Sequence, residues 1–159
     1  MRITLLFVVC VVMSSCFTQG DCLVSATNGM RIIFKKKNTT IDTAVTITYV
    51  EISGTDTLLS DSTALSDFVL PLNGRVDTTR FIIHRMKAAD PKVTGTDTLT
   101  VKYDIQGSVA TADCGAYTYY QNLRVIRFSR GDSLLKIRNP NLAKDPSSQV
   151  YAINFWIYF

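Results

Sequence analysis

Thr43-Ala44-Val45-Thr46-Ile47-Thr48-Tyr49-Val50-Glu51-Ile52 alternates along most of its length, with Val45, Ile47 and Tyr49 on one face and Thr46 and Thr48 on the other. A period of two sends successive side chains to opposite faces, so this stretch predicts a half-buried β-strand. β-Branched and aromatic side chains also pack well on a pleated surface. Comparable short runs recur at 30–35, 57–60, 68–72, 79–86, 98–106, 123–129, 134–138 and 150–157. Turn residues separate them: Ser53-Gly54-Thr55-Asp56, Asn73-Gly74, Ala89-Asp90-Pro91, Arg130-Gly131-Asp132 and Asn139-Pro140. Composition points the same way, because a single glutamate, Glu51, stands against 12 aspartates, 19 threonines and 12 serines. Those residues favour strands and turns over helices. The expected fold is all-β: an antiparallel β-sandwich of eight or nine short strands in one domain, 29–159.

The last run leaves an alternative open. Tyr151, Ile153, Phe155, Ile157 and Phe159 form one face, with Val150, Ala152, Asn154, Trp156 and Tyr158 on the other. A terminal aromatic on an alternating strand resembles the closing strand of an outer-membrane barrel, and the length suits an eight-stranded β-barrel. Spanning strands need about 9–11 residues, however, and most of these runs are shorter.

The N-terminus carries an address. Arg2 precedes an apolar run, Ile3 to Met13, broken only by Thr4, and Ser14-Ser15-Cys16 follows. Eleven residues fall short of the roughly 20 that cross a bilayer, so 1–15 reads as a secretory signal. A cysteine directly after small residues resembles a lipobox, although Met13 stands where Leu is usual. Cys16 is then the lipidated first residue, and 16–28 is a polar tether. Ordinary secretion with a cut after Gly20 is the alternative. Loss of Arg2 leaves 16 basic residues against 13 acids. An exported chain meets an oxidising compartment, where Cys22 and Cys114 pair as a disulfide. Two unpaired buried thiols are the other reading.

Several motifs occur in one order: the Cys16 lipobox, Cys22, the Gly54-Thr55-Asp56-Thr57-Leu58 turn, Phe68-Val69-Leu70-Pro71-Leu72, Asp97-Thr98-Leu99-Thr100-Val101-Lys102-Tyr103 and Asp113-Cys114-Gly115. In these the chain resembles a family of small, uncharacterised lipoproteins of Bacteroidota that carry a domain of unknown function. The resemblance covers most of the chain after the signal and implies no activity. It implies attachment to the outer membrane. With no acidic run after Cys16 to mark surface export, the periplasmic side is expected.

Chemistry for catalysis is poorly supplied, and the chain is not expected to be an enzyme. There is no G-x-S-x-G elbow, no H-E-x-x-H and no glycine-rich phosphate loop. His84 is the only histidine, and its setting in Phe81-Ile82-Ile83-His84-Arg85 reads as a partly exposed strand residue. Neither a metal nor a cofactor is expected, since the cysteine spacing carries no metal signature. An enzyme built on aspartate pairs from distant loops stays open as a third reading.

Six aspartates begin the pattern Asp, hydroxyl residue, apolar residue or Thr, and so place Thr43, Thr57, Ser62, Thr78, Thr98 and Ser133 second. The family resemblance implies that these are O-glycosylation acceptors. The local account is that Asp caps a turn and the hydroxyl residue opens a strand. The Gly-Thr-Asp-Thr-Leu sequence recurs at 95–99 and reads as repeated turn chemistry. Arg130-Gly131-Asp132-Ser133 spells an integrin-recognition tetrapeptide, but a glycine at a turn explains it without a ligand.

Positive charge gathers on one expected hairpin: Arg124, Arg127, Arg130, Lys136 and Arg138. On a tethered domain such a face meets anionic lipid or an acidic envelope glycan. A solvated face is the plain alternative. Nucleic acid is not expected, because the basic strands offer no stacking platform. The reading is therefore a non-catalytic envelope module that binds or scaffolds an unidentified protein partner.

Overall fold

The computed structural model describes residues 27–53, 58–60, 64–87, 90–111, 115–145, 148 and 150–159. The signal, Cys16, Cys22, Cys114, Thr57 and Ser62 lie outside the described residues. Among the described residues, ten strands form two sheets. They are β1 (Gly29–Lys35), β2 (Val45–Ile52), β3 (Leu58–Ser60), β4 (Ala64–Leu65), β5 (Asp67–Pro71), β6 (Thr78–Lys87), β7 (Asp90–Thr111), β8 (Gly115–Phe128), β9 (Leu135–Ile137) and β10 (Ile153–Tyr158). A 3-10 turn, Asp132–Leu134, precedes β9. The small sheet runs β5-β1-β10-β9, and the large one runs β3-β2-β6-β7-β8 with β4 also on β2. The fold is thus an all-β sandwich, and the strands divide between two sheets rather than closing into one eight-stranded barrel.

The sheets meet at a sharp corner. β4 pairs with β2 of the large sheet and β5 with β1 of the small one, so Ser66 alone carries the chain across. The Phe34 N–H donates to the Ser66 carbonyl at 2.9 Å and holds that corner against β1.

One pairing departs from the antiparallel expectation. β1 and β10 run parallel, with Arg31 opposite Ile153 and Ile32 opposite Phe155. Asn154 is the extra residue, a bulge that breaks the ladder locally. Its side chain repairs the break: Oδ1 accepts from the Arg31 N–H, and Nδ2 donates to the carbonyls of Asn139 and Asn141, all at 3.0 Å. Asn154 is completely buried for this reason and not through apolar packing. The segment that covers it continues to the large sheet, where Leu123 N–H donates to Pro140 O and Leu142 N–H to Tyr120 O. Residues 140–142 thus cover part of the free edge of β8, the kind of edge that otherwise invites pairing with another chain.

Between the sheets lies a hydrophobic core. β1 contributes Met30, Ile32 and Phe34, β10 contributes Phe155 and Ile157, and the large sheet answers with residues such as Phe81, Leu99 and Val101. β2 shows why its simple alternation misleads. A register shift between Ile47 and Tyr49 flips the phase, so Val50 and Ile52 are buried after Val45 and Ile47. Tyr49 goes to the outer face instead. β7 and β8 are also far longer than the short strands expected, at 22 and 14 residues. The Gly95–Leu99 repeat lies inside β7 and makes no turn.

Tyr103, completely buried, closes a hydrogen-bond cycle. Its hydroxyl donates to Asn73 O at 2.7 Å, the Thr79 hydroxyl meets it at 2.6 Å, and Asn73 N–H donates to Thr79 Oγ1 at 3.1 Å. Burial pushes the Tyr103 phenol above its ordinary pKa of 10, and burial does the same for Tyr120. A raised folded value means that the unfolded chain gives up these protons first. Their contribution is therefore intact below pH 10 and falls as pH rises beyond it.

Replacing Asn154 with Ala should cost about 2–4 kcal/mol, because an N–H and two carbonyls lose their partner in a buried site. Asn154→Asp keeps the shape but turns a carboxylate toward two carbonyls, and should be worse at neutral pH and partly relieved by acid. Urea denaturation at two pH values checks both. Tyr103→Phe should cost about 1–2 kcal/mol at neutral pH and flatten the loss of stability above pH 10, which alkaline unfolding curves would show.

Candidate functional site

The outer face of the large sheet is set by register. Arg80 of β6, Thr100 of β7 and Arg127 of β8 form one cross-strand row, and Thr78, Lys102 and Arg124 form another. A bulge at Ile126 lets Arg127 face outward while Val125 and Phe128 pack on the core side. Strands pair about 4.8 Å apart, so Arg80 and Arg127 flank Thr100 with their Cα atoms roughly 10 Å apart.

The two rows differ in charge balance. Lys102 Nζ lies 3.1 Å from Asp77, and Arg124 lies 3.5 Å from Asp104. Asp77 is held below the usual carboxylate value, chiefly by the Lys102 ammonium and then by the Thr78 hydroxyl. Arg80 and Arg127 are exposed and have no ion-pair partner among the described residues. Between them lies a recess of about 190 Å³ lined by Arg80, Thr98, Thr100, Arg127 and Ser129. Ser129 Oγ accepts from Thr98 N–H at 2.8 Å, which leaves the serine O–H to donate outward.

The basic residues expected on one hairpin are separated. β8 belongs to the large sheet and β9 to the small one, so the chain between them crosses from sheet to sheet. Arg124 and Arg127 stay on the large sheet, whereas Lys136 and Arg138 are exposed on the small-sheet side. Arg138 covers Trp156 at 4.1 Å. Arg130 folds inward, 3.9 Å from the centre of the Phe159 ring, and burial pulls its guanidinium below the ordinary value. Gly131, with φ +94°, gives the turn a conformation open to glycine, and this crossing takes the place of the hairpin tip. Sequence reading missed Arg80 and Lys102. The outward phase of Arg80 was available from Phe81 and Ile83, and that of Lys102 from Val101 and Tyr103, which flank it.

His84 is less bland than its sequence setting implies. Its ring stacks on Tyr49 with centroids 4.0 Å apart, Nε2 lies 2.9 Å from Glu51 Oε1, and Nδ1 lies 3.4 Å from Thr96 Oγ1. The single histidine and single glutamate of the chain therefore meet. Carboxylate, imidazole and hydroxyl stand in the order of a hydrolytic triad. Glu51 is about half exposed, at 48%, whereas triad electrostatics draw their strength from a water-excluded site. The cluster's evident effect is to tie β2, β6 and β7 together.

An ion pair also faces inward. Arg85 Nε donates to Asp97 Oδ2 at 2.6 Å, and Asp97 is buried. The expected turn role of Asp97 gives way to this pairing. Gly95 leaves room for it, since a Cβ there would lie 3.2 Å from the Arg85 guanidinium carbon. Of the hydroxyl positions, Thr78 opens β6 and donates to Asp77 at 2.9 Å, as a strand-opening residue should. Thr43 precedes β2, Ser133 is exposed in the 3-10 turn, and Thr98 is half-buried in mid-strand.

These features define a small two-sheet β-protein whose broad face carries a cationic recess. The chain belongs to a family of unknown function, DUF6452, whose model matches residues 43–155. No curated protein and no solved structure matches it. The match begins after β1, although β1 is the strand on which β10 pairs.

Arg85→Met should destabilise the chain by about 3 kcal/mol, because it strands a buried carboxylate. Adding Asp97→Leu should recover most of that loss, and chemical denaturation of the single and double variants measures it.

Proposed function

We propose that this chain is an exported, lipid-anchored module of the cell envelope that works by binding and carries out no reaction. The observation that carries the binding reading is the Arg80–Arg127 recess, where two cations lack counter-ions among the described residues while neighbouring Lys102 and Arg124 each have an aspartate. The supporting argument for the anchor is the sequence Ser14-Ser15-Cys16 behind a short apolar run. A tether from Cys16 to β1 holds the domain near the periplasmic side of the outer membrane, where phosphate-bearing lipid and acidic glycan are at hand. The large sheet's outer face is the contact surface, and its charge adds about 1 kcal/mol per cation near an anionic layer. Disulfide pairing of Cys22 with Cys114 would fasten the tether to the β7–β8 end.

Metabolic labelling with a fatty acid should mark the wild-type chain and leave Cys16→Ala unmarked. An unlabelled wild type would overturn the anchor.

A further inference from the structure

We infer that the recess between Arg80 and Arg127 binds one phosphate monoester group. The inference rests on the binding reading of this face and is independent of the anchor. The argument begins with charge. Arg80 and Arg127 flank Thr100, and the fold supplies no acid to this row among the described residues, although it supplies one to each cation of the next. Water screens these cations in the free protein, so both stay available to an anionic ligand.

Size narrows the ligand. A recess of about 190 Å³ lies below the roughly 300–1,000 Å³ of sites that enclose a whole small molecule. It takes a single group, with the rest of the ligand outside. Ile126, 60% exposed at the bulge beside Arg127, offers an apolar contact to that remainder.

Donor geometry narrows it further. Each guanidinium presents a planar fork suited to two oxygens of an oxyanion. Thr98, Thr100 and Ser129 add hydroxyls, and no carboxylate is among the lining residues. Two guanidinium charges match the roughly −1.5 to −2 of a phosphate monoester near pH 7. A carboxylate, a sulfate ester or a phosphodiester brings only one negative charge and leaves the row half neutralised. The Ser129 oxygen already accepts from Thr98 N–H, so its O–H can donate to a ligand without competing for that bond. The same chemistry occurs on a lipid headgroup and on a phosphorylated sugar.

The test follows the arginine Nε–H signals of the full chain by NMR during titration with glucose 1-phosphate at constant ionic strength. Saturable shifts at Arg80 and Arg127 are expected. Arg80→Gln and Arg127→Gln should each weaken binding about tenfold or more, whereas Lys136→Gln, exposed on the small sheet, should leave it nearly unchanged. Affinity should fall below about pH 6 as the monoester takes up its proton. Phosphatidylcholine vesicles doped with phosphatidic acid form the second arm. Binding in either arm that requires both arginines supports the site and names its source. Equal responses to methyl sulfate and glucose 1-phosphate, or shifts spread evenly over Lys102 and Arg124, would overturn it. If glucose 1-phosphate and the vesicles both fail while cell-envelope fractions still retain the wild type better than the two Gln variants, only the ligand class is wrong. If the Gln variants are retained equally, the binding reading of the face falls with it.

Discussion

The small sheet depends on one side-chain amide. At the bulge, β1 and β10 lose their regular ladder, and an unrepaired gap there would leave a backbone N–H and two carbonyls without partners. Asn154 meets all three with one acceptor and two donors. The geometry is specific to a carboxamide, since no other short side chain offers both functions in one plane. Because residues 140–142 then run on to pair with β8, the same amide also fixes how the rim of the large sheet is closed. The bulge is thus a junction of both sheets, and the polar group at its centre acts through saturation of its partners more than through the strength of any single bond.

Charge is handled in two ways. On the inner side, Asp97 is paired with Arg85, and Gly95 makes room for the long side chain. An unpaired ion there would be costly. On the outer side, water screens unpaired cations cheaply, so Arg80 and Arg127 are tolerated without partners in the fold. That difference makes the outer row informative, because its arrangement is not demanded by stability. Lys102 and Arg124, by contrast, are fully explained by Asp77 and Asp104.

Much of the architecture was legible in the chain, because local alternation and turn residues report where strands lie. Every expected run overlaps a strand, and the two-sheet class follows from their number and spacing. What escaped was non-local. The phase flip within β2 depends on how it registers against β6, which placed Tyr49 beside His84 on the outer face. The length of β7 depends on β6 and β8 supporting it on both sides. Asp97 looked like a turn residue because its partner, Arg85, lies on another strand. The candidate site was half visible: Arg127 was singled out, but it was grouped with residues that the chain carries to the opposite sheet. Arg80 joins it only through register across β7.

The parallel pairing of β1 with β10 has a consequence for the order of folding. Arg31 and Asn154, which bond across the bulge, are 123 residues apart in the chain. During N-to-C synthesis β1 therefore waits without β10 until the 123 residues from Arg31 to Asn154 have emerged. The large sheet can assemble earlier through its hairpins, whose contacts are nearer in sequence, whereas the small sheet closes last and against a greater entropic barrier. Until then the edge of β1 that pairs with β10 is left open. Acquisition of the native state is timed by the arrival of β10.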